Sequence, residues 1–429
     1  MRTLQKVIFN LLYWYRHEKR LSASCGANVI NHGLVLDKEL EQKRQLFVDV
    51  SELMMQDAKT GIQRVVRSVL QEWLSLSLEK FSIQPVYASH GEYKYARQFF
   101  SRFFDAPVDS TEDSYIEYQA GDVFVGLDFN YDVVFSCKAF YQKMRCSGVI
   151  VKFVVYDLLC IHIPKHFFYL AAEKHQRWLE IIAESDGAVC ISKAVADELS
   201  AWLKVYFPRK CRSFQISWFH LGADIYNSVS TKSMLAGAEE VLRKLQQLPS
   251  FLMVGTLEPR KGHQQVLAAF ELLWRQNAKI NLMIVGKQGW KTKELINSLK
   301  QHAQLENHLF WVEDASDEFL EKIYQASDCL IAASEGEGFG LPLIEAARHR
   351  LPIIARDIPV FLEVTEGHAF FFKGESPEVL AKAITDWLVL FEKSFHPTSE
   401  EIKWLTWQQS AQQLLSCILS NNLSEEFTH

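Results

Sequence analysis

From Gln45 onward, short runs rich in β-branched and aromatic residues alternate with longer stretches whose apolar positions recur at helical spacing. This is the pattern of parallel sheets covered by helices. In the first half it predicts strands near residues 45–51, 82–88, 122–128, 149–157, 187–192 and 214–221, and helices near 61–78, 166–184 and 193–204. Over 223–247 the residues turn polar and weakly periodic, which reads as an interdomain linker. The alternation restarts with Phe251-Leu-Met-Val-Gly255 and continues through Leu282-Met-Ile-Val-Gly286, Leu309-Phe-Trp-Val312, Cys329-Leu-Ile-Ala-Ala333, Pro352-Ile-Ile-Ala355 and Phe370-Phe-Phe372. A second doubly wound sheet is expected there, with ligands gathering outside the carboxyl ends of its strands. Ile402, Leu405, Ala411, Leu414, Leu415, Ile418 and Leu419 predict a long terminal helix.

The organisation expected is therefore an amphipathic segment (1–44), a Rossmann-like domain (45–228), a linker (229–247), a second Rossmann-like domain (248–398) and a terminal helix (399–429) that crosses back to the first domain. In the first segment Leu4, Val7, Ile8, Leu11, Leu12 and Tyr15 share one helical face, and Arg2, Lys6, Arg16, Lys19 and Arg20 supply the polar side. Such a helix suits the surface of an anionic membrane, and it suits docking on its own protein equally well. Asn10 interrupts the apolar run, and Arg16-His-Glu-Lys-Arg20 stands where a signal-peptide cleavage site would lie, so export is not expected.

Composition narrows the classes. A chain of 429 residues, 48% hydrophobic and 23% charged, exceeds one ordinary core, and a net charge of −6 argues against nucleic acid as the main partner. The eight cysteines are scattered singly, which suits free thiols in a reducing cytosol better than a disulfide framework. Lys152, Asp157 and His162 break the longest apolar stretch below the ~18 residues that span a bilayer. A cytoplasmic protein follows, peripheral on the inner face of the membrane if the first helix binds there.

Two motifs carry chemistry. Gly255-Thr-Leu-Glu-Pro-Arg-Lys-Gly-His263 runs from a strand end into a helix start, where an anion meets free N–H groups and two cations, Arg260 and Lys261. Arginine can clamp phosphate oxygens bidentately while lysine adds a point charge. A solvated basic helix start is the plain alternative, and the motif alone does not decide between them. Ser334-Glu-Gly-Glu-Gly-Phe-Gly-Leu-Pro-Leu-Ile-Glu345 also follows a strand. There Gly338 and Gly340 allow a close backbone approach to a ligand, and Glu337 and Glu345 can face one cleft and accept from vicinal hydroxyls. Neither G-x-G-x-x-G after the domain's first strand nor a P-loop occurs, which disfavours dehydrogenases and P-loop nucleotidases. With no D-x-D triplet, a donor-bound metal is not expected.

These two motifs resemble the donor site of family-4 retaining glycosyltransferases of the GT-B fold. Thr60-Gly-Ile-Gln-Arg64, Gly121-Asp-Val-Phe-Val-Gly-Leu-Asp128, Val155-Tyr-Asp-Leu-Leu159, Ile191-Ser-Lys193 and His220-Leu-Gly-Ala-Asp224 are similar to segments of bacterial mannosyltransferases that build surface polysaccharides. The resemblance implies an α/β fold with two Rossmann-like domains facing a cleft. It implies that Arg260 and Lys261 neutralise a leaving diphosphate, that Glu337 holds donor sugar hydroxyls, and that Glu345 accepts from the ribose. Gly255, Phe339, Gly340 and Leu341 would line the donor, and Val312 would lie where the base packs. Gly61, Tyr156 and Asp157 would serve the acceptor side, with Asp157 orienting or deprotonating a hydroxyl; Tyr156 departs from the histidine many relatives carry.

The expected reaction is transfer of a hexose, mannose favoured and GDP-mannose the favoured donor, to a growing, lipid-linked or free surface glycan such as an O-antigen or exopolysaccharide. A GT-B-fold epimerase, a phosphorylase or a catalytically silent assembly subunit are the alternatives. Oligomeric state leaves no mark in the sequence.

Overall fold

In the computed structural model, which describes residues 43–56, 60–99, 112–210, 213–224 and 237–420, each half of the chain folds around one sheet. The first half contributes strands β1 (Arg44–Asp49), β2 (Phe81–Ser89), β3 (Glu92–Tyr95), β4 (Val123–Gly126), β5 (Ile150–Val155), β6 (Gly187–Cys190) and β7 (Gln215–Trp218), in the order β3-β2-β1-β4-β5-β6-β7. All pairs are parallel except β2 with β3. Central strands read as unbroken apolar runs because helices cover both faces, and Leu46, Phe47, Val48, Val123, Phe124 and Val125 are fully buried.

Strand β3 escapes the sequence pattern because it has only four residues. Its hairpin turn is His90-Gly91, both at positive φ (53° and 80°), the geometry that keeps a two-residue loop in step with strand twist. Helices Tyr131–Ser136 and Lys138–Cys146 between β4 and β5 are likewise additions to the expected set.

The second half contributes β8 (Ser250–Val254), β9 (Asn281–Val285), β10 (Leu309–Val312), β11 (Cys329–Ala332), β12 (Ile353–Arg356) and β13 (Phe370–Phe372), an all-parallel sheet ordered β10-β9-β8-β11-β12-β13. Part of the expected linker is helical: Ala238–Leu245 buries Ala238 and Leu245 and packs on the helix Asp317–Ala326. Glu239, Glu240, Arg243 and Lys244 crowd its short span, which is why the apolar period is faint. Residues 225–236 lie outside the described residues, as does the amphipathic stretch 1–42. No helix among the described residues is long and apolar enough to cross a membrane.

The terminal helix Trp407–Leu419 packs against the helix Gly61–Leu74 and strands β6 and β7. Trp73 Nε1 donates to Ala411 O at 2.8 Å, and the buried Lys152 Nζ donates to Ile418 O at 2.8 Å and Cys417 O at 3.1 Å. A cation against the last carbonyls of a helix is favourable. Asp224 Oδ1 accepts Trp407 N at 2.6 Å, so the first half holds the end of the chain.

Candidate functional site

Strands β8 and β11 lie side by side, Phe251 opposite Cys329 and Leu252 opposite Leu330, and the order of connection reverses between them. Both chemical motifs leave the sheet here, at the crevice where doubly wound sheets bind ligands. Gly255 follows β8 at φ 141°, and Pro259–Lys261 makes one 3-10 turn. Gly262, at φ 79°, opens the helix His263–Arg275; a Cβ on it would stand 2.4 Å from Ala333 O, so only glycine lets the turn lie against the end of β11.

The two motifs meet at Glu337. Arg260 Nη1 donates to Glu337 Oε2 at 2.9 Å, Lys261 Nζ to Oε1 at 2.5 Å, and Ser334 Oγ to Oε1 at 2.7 Å. Burial pushes the Glu337 carboxyl up, but Lys261 and Arg260 outweigh it and hold the pKa at about 2. Arg260 also donates to Gly336 O at 3.0 Å and ion-pairs with Glu258, Nη2 to Oε2 2.9 Å. Burial works against its charge, yet Glu337, Glu258 and Asp157 raise its pKa overall. Glu258, 7% exposed, is an acid the sequence reading passed over although it stands inside the motif; burial raises its carboxyl despite Arg260 and Lys261.

Glu345 projects from the second turn of the helix Leu341–Arg348 and is 2% exposed. Its oxygens are both engaged: Arg64 Nη1 donates to Oε1 at 2.6 Å and Tyr324 Oη to Oε2 at 2.7 Å. Arg64 belongs to the first half, in the opening turn of the helix Gly61–Leu74, where Thr60 and Gln63 form a capping box.

The glycine loop packs against the first half of the chain. A Cβ on Gly338 would stand 2.0 Å from Tyr156 O and 3.1 Å from Ile191 Cδ1, and one on Gly336 would stand 2.7 Å from Leu159 Cδ2. Gly336 and Gly338 therefore lie tightly against residues of the first half. Ser192 Oγ donates to Gly338 O at 2.7 Å while capping its own helix at Val195 N. Nearby Glu335 bonds His166 at 2.8 Å and Lys165 at 2.7 Å, and Glu363 accepts Lys193 N, Ala194 N and His220, each within 2.8 Å. None of these cross-links is legible in the sequence, since each joins residues more than 140 positions apart.

The remaining expected residues are placed as follows. Gly340 starts the helix Leu341–Arg348 at φ 99°, and Phe339 is buried with its ring 5.3 Å from His220. Val312 ends β10, its carbonyl accepting Gly286 N at 2.9 Å. Gly61 is exposed at its helix start. Tyr156 is 4% exposed and its hydroxyl donates to Leu127 O at 2.7 Å, so its side chain packs in the core while its carbonyl lies against Gly338. Asp157 Oδ1 accepts Leu159 N at 3.0 Å, a turn cap, while its charge bears on Arg260.

Residues 238–395 match the family described as Glycosyl transferases group 1. The chain is 44% identical over 376 residues to the serotype-specific mannosyltransferase WbdA of Escherichia coli, covering 87% of this chain and 44% of that protein, so it spans under half the length of this relative. It is 30% identical over 114 residues to the O-antigen chain mannosyltransferase B of Escherichia coli, 26% of this chain and 30% of that protein. In fold it is similar to Anabaena HepE in complex with UDP and glucose (TM-score 0.55, 12% identity, 87% of this chain and 95% of that one). It is also similar to the catalytic domain of Starch Synthase IV from Arabidopsis thaliana (TM-score 0.56, 12% identity, 88% and 99%). With two parallel sheets whose motifs converge at the β8/β11 crevice, the chain carries a glycosyl transferases group 1 domain on a GT-B fold.

Proposed function

We propose that this protein is a retaining hexosyltransferase that moves mannose from GDP-mannose to a growing surface glycan. The observation that carries the reading is the convergence of Arg260 and Lys261 on Glu337 at the switch point of the second sheet. The relative WbdA, named a mannosyltransferase, supports the sugar.

The residues divide the work. Glu337 fixes both cations in place, so their charge is oriented before a diphosphate arrives and costs no reorganisation as negative charge builds on the leaving group. Arg260 presents a planar fork and Lys261 a point charge, which together replace the neutralisation a divalent metal would supply. Backbone donors at the start of the helix His263–Arg275 add a partial positive charge on the same side. Glu337, with its pKa near 2, is ionised at neutral pH and therefore accepts only, as hydroxyls of a bound hexose require. Asp157 lies beside Arg260 on the acceptor face and would orient the incoming hydroxyl.

Turnover of GDP-mannose with a mannan acceptor tests this. Arg260→Ala and Lys261→Ala should each lower kcat by about 10²–10³, the usual loss when one donor to developing charge is removed. A double variant that turns over at the wild-type rate would sink the proposal.

A further inference from the structure

Glu345 and Arg64 approach each other from opposite halves of the chain, and their chemistry is incomplete as it stands. Arg64 follows the carboxyl end of β1, which lies beside β4 where the connection order of the first sheet reverses. The Arg64–Glu345 pair therefore joins the ligand crevice of one sheet to that of the other. Each carboxylate oxygen of Glu345 has about two acceptor positions. Arg64 and Tyr324 use one on each oxygen, which leaves two free to accept. Arg64 is incomplete in the opposite sense: Nη2 is buried and has no hydrogen-bond partner. A buried guanidinium N–H without an acceptor is costly, so such a group points to an acceptor that a ligand supplies.

One chemical class answers both needs. A vicinal diol offers two hydroxyl protons to the free positions of Glu345 and hydroxyl oxygens to Arg64 Nη2. Building on the nucleotide-sugar reading above, we infer that Arg64 is a donor-binding residue lent by the first half, and that it grips the ribose 2′,3′-diol of a nucleoside diphosphate together with Glu345. Donor affinity then depends on both halves: the diphosphate is held on the second half by Arg260 and Lys261, and the ribose is held across the cleft. Nothing in the first half's sequence singled out this role, because the partner of Arg64 lies 281 residues away.

The test compares calorimetric binding of GDP and UDP with that of their 2′,3′-dideoxy counterparts. Wild-type protein should prefer the ribose form of its better nucleotide by at least about tenfold, the net loss when one hydrogen bond to a charged group is removed. Arg64→Met should cut that preference to about threefold or less while binding of the dideoxy form changes little, and Arg64→Lys should keep an intermediate preference. A merely structural arginine would weaken both forms alike. Full ribose discrimination in a folded Arg64→Met protein, checked by its melting curve, or parallel losses for both forms, would overturn the assignment. Arg260→Ala separates this from the broader reading. If wild-type protein binds neither nucleotide, or if Arg260→Ala binds as tightly as wild type, the proposed function itself falls and this inference with it.

Discussion

Gly338→Ala is the smallest change that tests whether the glycine loop is built for contact between the two halves. The added methyl would stand 2.0 Å from the backbone oxygen of Tyr156, about 1 Å closer than a Cβ approaches any atom. That oxygen belongs to the main chain just beyond β5, so no rotamer change relieves the clash. Either the loop or the first half must move by about 1 Å, and overpacking of this kind costs about 1–3 kcal/mol. Ser192, which donates to Gly338 O at 2.7 Å, would lose part of a buried hydrogen bond worth about 1 kcal/mol. Glu337 is the neighbouring residue, and a 1 Å misplacement in a catalytic constellation can reduce turnover about 100-fold. We expect a melting temperature lower by several degrees, at roughly 2–4 °C per kcal/mol. Loss of turnover should be larger than the stability loss explains, because the variant remains folded at the assay temperature. Scanning calorimetry and GDP-mannose turnover on the same preparation measure both. Wild-type turnover with an unchanged melting temperature would refute the contact, and would return Gly338 to the ligand-facing role its sequence suggested.

His263 is 1% exposed with both ring nitrogens unpaired, and burial, aided by Lys261, pushes its pKa down to about 3. The unfolded chain takes up this proton near pH 6.5 while the folded chain refuses it, so stability present above pH 6.5 drains away as pH falls toward 3, by roughly 1.4 kcal/mol per unit. His263→Leu should gain about 2–3 kcal/mol over wild type between pH 6.5 and 4.5 in urea titrations, and parallel pH profiles would show that the ring is not held neutral. On the proposed role of Arg260 and Lys261 as the groups that neutralise the diphosphate, glycosyl transfer should persist in excess EDTA; a loss restored by magnesium or manganese would reveal a metal requirement.

Local pattern was enough to read most elements, because β-rich runs and amphipathic helices carry their periodicity within a few residues. Strands β8 and β11, the glycine-bounded turn after each, and the helix starts at His263 and Leu341 all follow from neighbouring residues. That is also why Arg260, Lys261, Glu337 and Glu345 stood out as charged groups at strand ends. The elements missed were short or masked by charge, as with Glu92–Tyr95 and Ala238–Leu245.

What each group touches was settled only by tertiary structure. Periodicity carries no information on which strand lies beside which, so the meeting of Arg260 and Lys261 with Glu337 required β8 and β11 to become neighbours. Gly338 looked like a ligand-facing glycine, and the reason it must be glycine is a carbonyl 182 residues earlier. Arg64 stood out only as the end of the segment Thr60-Gly-Ile-Gln-Arg64, with no role assigned, and packing made it the partner of Glu345. A hydrogen bond or a steric limit depends on distances of a few ångströms between segments far apart in the chain, and only the packed fold sets those distances.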